Sequence, residues 1–350
     1  METKEKKKIL PEERYDKKLF KQAVKAAQEA KRIKEKQRSK RRLAKVGFIS
    51  MVVVVIAFCI YLIVPLFEPK NEYTVANIYP KSLRYERLVG EDINGYEDKS
   101  ISVVNLKAQS AIAFNPSNGD ILLEKDIHER KSVASLTKLI SAIVVLESFK
   151  FDDVITVSLE NIPQDLSLQL GAKEGDKISI ENILKAMLIS SYNDTAYIVA
   201  NAYPYGGYEG FIKAMNRKAE MLKMNESHFS NPAGLDQDDN YSSAFDISTL
   251  VSVVRNYSEI MNIVIKEREV INWSNNSGLL STEVLTTNKL LQESIYIKGL
   301  KTGITDLAGQ CFVGYFVYPN GNELVTVVLN SSERFEDTKT IEKYSRPLLK

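Results

Sequence analysis

Residues 135–149 read SLTKLISAIVVLESF, and the fold builds outward from them. The run is apolar nearly all round, which predicts a helix buried on every side, not an amphipathic surface helix. At its start Ser135 and Lys138 stand three residues apart, a spacing that puts two helical side chains on one face with Cβ atoms ~5–6 Å apart. A hydroxyl is a poor nucleophile until a base takes its proton. A lysine amine serves as that base once burial or a neighbouring cation lowers its pKa. No other serine of the chain has lysine at i+3. Alone, the pattern reads equally well as a serine near a helix cap.

Upstream, QSAIAFNP (109–116), a turn at Ser117-Asn118-Gly119 and DILLE (120–124) read as a β-hairpin. Downstream, 181–189, 194–202, 210–222 and 244–257 read as helices. The last third changes texture. SIYIKGLKTG (294–303) and QCFVGYFVYPNGNELVTVVLNSS (310–332) contain three strand-like runs, with Pro319-Asn320-Gly321-Asn322 turning between the last two. Residues 336–349 close the chain as a further helix. Strands from both ends and helices between them predict an α/β fold of the α+β type: one antiparallel sheet flanked by helices, with a helical subdomain.

Two more short motifs bear chemistry. Ser190-Ser191-Tyr192-Asn193-Asp194 lies between two expected helices, where Ser191 and Asn193 could point into a cleft. It reads also as a helix N-cap, and S-x-N recurs at 274–276. Lys301-Thr302-Gly303 follows a strand-like segment; it offers a fixed positive charge, a hydroxyl and a position without a side chain, where a substrate backbone could approach. A surface turn is the plainer reading of it.

The first hundred residues differ in kind. Residues 1–45 hold 18 Lys/Arg and 7 Asp/Glu, against 29 and 38 in the rest of the chain. Residues 46–67, VGFISMVVVVIAFCIYLIVPLF, carry no charge. At ~1.5 Å per residue such a helix matches a ~30 Å hydrocarbon core. It exceeds a signal-peptide core and no A-x-A pattern follows, so an uncleaved span is expected. The basic flank puts the N-terminus in the cytoplasm and the later residues outside. The organisation expected is therefore a basic cytoplasmic segment (1–45), a transmembrane helix in the lipid bilayer (46–67), an extracytoplasmic stalk (68–100) and a catalytic domain (101–350). No aromatic interleaving in the basic arm supports a nucleic-acid partner. Cys59 lies in the span, so it cannot bridge to Cys311. Only His128 and His228 are available, too few for a zinc peptidase or a Ser-His-Asp triad, and no metal is expected.

In the order S-x-x-K, S-x-N, K-T-G the three motifs form the signature set of penicillin-binding proteins and serine β-lactamases. Over roughly 101–350 the chain resembles the D-Ala-D-Ala carboxypeptidase family of low-molecular-mass penicillin-binding proteins. VASLTKLISA, FSNPAGLD, KTGITDLAGQCF and VVLNSSERFED each resemble a stretch typical of that family. The resemblance implies Ser135 as acyl-ester nucleophile, Lys138 as general base and Ser191 as proton relay. It implies that Asn193 bonds the substrate amide and that Lys301 and Thr302 bind its carboxylate. Gly303 would admit the substrate backbone, and the N–H groups of Ser135 and Ile304 would form the oxyanion hole. Arg334 is a further carboxylate-binding candidate. The implied substrates are peptidoglycan stem peptides and the implied covalent inhibitors β-lactams, with no cofactor. A D,D-endopeptidase or a non-hydrolysing penicillin-binding sensor would use the same residues. Two departures stand out. Ala233 replaces the family's histidine in FSNPAGLD, outside any expected catalytic role, and Tyr192 replaces a small or acidic residue and is expected to narrow the site.

Overall fold

The computed structural model describes residues 104–349. The basic arm, the apolar run at 46–67 and the stalk lie outside the described residues. Among the described residues no helix is long and apolar enough to cross a membrane.

The elements run as follows. Strands β1 (Ser110–Phe114) and β2 (Ile121–Lys125) form the hairpin, and a 3₁₀ turn (Ala134–Thr137) leads into helix α1 (Lys138–Ser148). Short strands β3 (Val154–Thr156) and β4 (Lys177–Ser179) precede helices α2 (Ile180–Ile189), α3 (Asn193–Asn201), α4 (Gly207–Met221), α5 (Ala244–Val254) and α6 (Ser258–Val264). Strands β5 (Arg268–Asn275) and β6 (Gly278–Leu285), the one-turn helix α7 (Leu290–Glu293), strands β7 (Ile297–Thr305), β8 (Gly309–Val317) and β9 (Glu323–Ser331), and helix α8 (Arg334–Ser345) complete the chain.

The expected sheet forms, antiparallel, in the order β2-β1-β9-β8-β7. Its central strands are covered on both faces. Ile112, Phe114, Val313, Tyr315, Val325, Val327 and Leu329 join the core shared with α1 and α5. The alternate residues Ala111, Ala113, Phe312, Phe316, Leu324 and Val328 meet Ile341 of α8 on the other side. Alternation of side chains along each strand divides one apolar run between two cores. Burial on both faces is why these strands read as continuous hydrophobic runs.

A second antiparallel sheet, β3-β4-β5-β6, stands beside the helices. The sequence reading contained no such sheet. Along β5 and β6 only Ile271 and Val284 are fully buried, while Val270 and Leu279 are exposed, so the pattern has little of the half-buried strand's contrast. The second S-x-N triplet, 274–276, falls at the tip of this hairpin, where Asn275 pairs with Gly278.

Helix α1 begins at Lys138, and every residue from Lys138 to Val145 is buried, as its uniformly apolar sequence requires. Ser135 lies in the 3₁₀ turn before it, not on the α-helix. The serine–lysine register survives because side chains at i and i+3 eclipse in a 3₁₀ turn.

Candidate active site

The amine of Lys138 is the centre of the site. Its Nζ lies 2.8 Å from Ser135 Oγ, 2.6 Å from Asn193 Oδ1 and 2.8 Å from the Ala233 carbonyl oxygen. The side chain is fully buried. Burial holds its pKa well below the usual lysine value, the charge of Lys301 pushes it the same way, and Asp194 opposes them. A lysine so placed is readily neutral, and a neutral amine accepts the proton of the hydroxyl beside it.

A second lysine closes the site. Lys301 is buried on β7 and donates to Ser191 Oγ (2.8 Å) and to the Thr302 carbonyl (3.0 Å). Burial, then the nearby Arg334 guanidinium, brings its pKa down to about 7. Ser191 has φ +61°, a left-handed conformation that a serine adopts at a cost of roughly 1–3 kcal/mol.

Three backbone devices fix these groups. In FSNPAGLD, Asn231 Oδ1 accepts the N–H groups of Ala233 (3.2 Å), Gly234 (2.8 Å) and Leu235 (2.9 Å). This turn aims the Ala233 carbonyl at Lys138. Thus the Ala233 side chain has no catalytic contact, yet its backbone belongs to the site. Gly234 has φ +80°, and a Cβ there would come 1.8 Å from the Ala134 carbonyl oxygen. At Gly303 a Cβ would stand 2.9 Å from Ala134 Cβ and 3.1 Å from Ser135 N, so β7 lies flush against the 3₁₀ turn that carries Ser135.

The remaining expected residues fall around this centre. Thr302 Oγ1 is 2.5 Å from Thr287 Oγ1. Ile304 follows Gly303 on the same strand and is exposed. Arg334 is half-buried, and its guanidinium donates to the Gly303 carbonyl (2.6 Å) and covers the Phe335 ring. Asn193 donates its amide to the Ser167 carbonyl (2.8 Å) while accepting from Lys138, which leaves one N–H for a ligand. Tyr192 packs half-buried against the helical core. His128 pairs with Glu226 (3.0 Å) and His228 approaches the Asp239 carbonyl (2.5 Å), both away from the lysines' contacts. No cluster of metal-ligating side chains occurs among the described residues.

Sequence reasoning missed Asp194, Thr287 and the carbonyls of Ser167 and Ala233. Asp194 carried a signal, a carboxylate directly after S-x-N in an apolar helix. Backbone carbonyls carry none.

The fold and this lysine-paired serine define the penicillin-binding-like class. The chain superposes on the Streptomyces K15 DD-transpeptidase with a TM-score of 0.65 and 25% identity, covering 69% of this chain and 98% of that one. For penicillin-binding protein D2 from Listeria monocytogenes in its ampicillin-bound form the TM-score is 0.59 at 27% identity, over 69% and 98%. Among curated relatives, D-alanyl-D-alanine carboxypeptidase DacF of Bacillus subtilis is 27% identical over 61% of this chain and 55% of its own length. The D-alanyl-D-alanine endopeptidase of Escherichia coli is 32% identical over 59% and 65%. The match thus spans between half and two thirds of these relatives. The D-alanyl-D-alanine carboxypeptidase family matches residues 97–333, and the chain belongs to that family.

Proposed function

We propose that this protein is a serine-type D-Ala-D-Ala carboxypeptidase that removes the terminal D-alanine from peptidoglycan stem peptides. The observation that carries this reading is Lys138 Nζ, fully buried, 2.8 Å from Ser135 Oγ. Neutral Lys138 takes the Ser135 proton as Oγ bonds to the carbonyl carbon of the penultimate D-alanine. The N–H groups of Ser135 and Ile304 stabilise the oxyanion. The C–N bond then breaks, and the leaving amine takes a proton delivered through Lys138 and Ser191. Water adds to the acyl ester, gives its proton to the same base and restores Ser135. Lys301 and Thr302 hold the substrate carboxylate, and Asn193 bonds its amide.

β-Lactams acylate Ser135 by the same route; the ampicillin-bound structure of the Listeria relative supports this. The domain is held outside the bilayer by residues 46–67, with residues 1–45 in the cytoplasm. The uncharged 22-residue run and its basic flank support that topology. Retention of the full chain in carbonate-washed membranes checks it.

Cleavage of cross-links, as a D,D-endopeptidase, is the second reading, favoured by the 32% identity to the Escherichia coli endopeptidase. The test incubates the full chain with fluorescent penicillin, a D-Ala-D-Ala-terminated peptide and a cross-linked muropeptide dimer, beside Ser135→Ala. Label and D-alanine release, both lost in the variant, support the carboxypeptidase. Dimer cleavage without D-alanine release selects the endopeptidase, and label without either reaction selects a sensor. Absence of Ser135-dependent label overturns the mechanism.

A further inference from the structure

Between β3 and β4 the chain runs through residues 157–176 with no regular element, longer than a plain connection in a compact domain usually is. Its middle is fastened to the start of α3 by four hydrogen bonds. Asn193 N donates to the Leu168 carbonyl (2.7 Å) and Asn193 Nδ2 to the Ser167 carbonyl (2.8 Å). Asp194 Oδ1 and Oδ2 accept the N–H groups of Leu170 and Gly171, each at 2.9 Å. Asp194 is 3% exposed and makes no ion pair among the described residues, so backbone donors alone satisfy its carboxylate. A buried charge is costly, and one kept without a cation partner must be held by its hydrogen bonds. The same loop therefore holds Asn193, whose Oδ1 receives Lys138 Nζ.

We propose that Asp194 is a positioning residue of this active site: it seats residues 167–171 on Asn193, and so fixes the amide that orients Lys138. The proposal rests on the serine-acylation reading above. The charged groups acting on Lys138 are Lys301 from β7 and Asp194 from α3, with opposite signs. Removing the Asp194 charge leaves Lys301 unopposed and makes Lys138 harder to protonate. The acid limb of the acylation profile then moves to lower pH, an effect that loosened packing alone does not produce. In Asp194→Asn an amide nitrogen takes the place of one carboxylate oxygen and cannot accept from Gly171 or Leu170, so the loop also loses one anchor.

The experiment measures the rate of Ser135 acylation by fluorescent penicillin against pH in the full chain, Asp194→Asn and Asp194→Glu, with amide exchange of residues 168–171 in each. Asp194→Asn is expected to lower the plateau about tenfold, as a misplaced catalytic group does, to shift the acid limb downward and to speed loop exchange. Asp194→Glu keeps the charge, so its acid limb stays near the parent's while its plateau still falls. If Asp194→Asn fails to fold, the glutamate variant alone decides: loop exchange and plateau both at the parent's values overturn the proposal. A parent-like plateau and acid limb in Asp194→Asn overturn it equally. A parent chain without Ser135-dependent label defeats the acylation reading instead, and the exchange comparison still tests the clamp.

Discussion

Lys301 Nζ lies 2.8 Å from Ser191 Oγ, joining the edge strand β7 to the turn before α3 across 110 residues of sequence. The contact places the second lysine where Arg334 also acts on it, since Arg334 is the charged cause of its lowered pKa after burial. In the proposed reaction Lys301 holds the substrate carboxylate, which requires its charge, so binding should be lost as pH rises through its pKa of about 7. Arg334→Gln removes a repelling cation and raises that pKa. The alkaline limb of kcat/KM for a D-Ala-D-Ala peptide is expected to move to higher pH in this variant. An unmoved limb would show that Lys301 is not the group titrating there.

Ser191 supplies a second test, because its hydroxyl and its backbone make separate demands. Both Ser191→Ala and Ser191→Gly remove the oxygen that Lys301 meets. Only glycine fits φ +61° without strain. Ser191→Gly is therefore expected to be more stable than Ser191→Ala by about 1 kcal/mol, while both lose turnover alike. Paired denaturant titrations give the difference, and equal midpoints would refute the strain.

Gly303→Ala tests the close approach of β7 to the nucleophile. The added Cβ would meet Ala134 Cβ at 2.9 Å and the Val133 carbonyl at 3.1 Å, so the strand must retreat from the 3₁₀ turn by a few tenths of an ångström or more. Misplacement of this order lowers catalysis by up to ~10²-fold. Penicillin acylation should fall steeply with the far-UV spectrum unchanged. A parent-like rate would mean that β7 yields without moving the N–H groups proposed to stabilise the oxyanion.

What was legible in the sequence follows from the physics of each signal. The five-stranded sheet announced itself because β1, β8 and β9 bury both faces and so are mostly apolar along their centres. Helix α1 did so for the same reason. The hairpin β5–β6 stayed hidden because its exposed positions carry Val270 and Leu279 and its inner ones Trp273 and Thr282, an alternation with no contrast. In the site, Ser135, Lys138, Ser191, Asn193 and Lys301 were nameable because motifs carry side-chain chemistry. The carbonyls of Ala233 and Ser167 were not, since any residue supplies one. Their positions depend on the Asn231 turn and on the loop clamped at Asp194.

Lys301 also makes stability depend on pH, in a direction opposite to that of a salt-bridged lysine. Its folded pKa, about 7, lies below the unfolded value near 10.5. Between the two the unfolded chain binds the extra proton, so stability rises with pH across that window and is lowest below pH 7. The full excursion is on the order of 5 kcal/mol for a lysine wholly out of solvent. Lys301→Met abolishes this term and also removes the cation that helps lower the Lys138 pKa, a change that acts in the same direction. The stability of the parent relative to Lys301→Met should therefore climb between pH 7 and pH 10. Urea titrations of both chains across that range measure the climb. A difference independent of pH would mean that Lys301 titrates at its ordinary value, and that the positive charge beside Ser191 persists through the alkaline range.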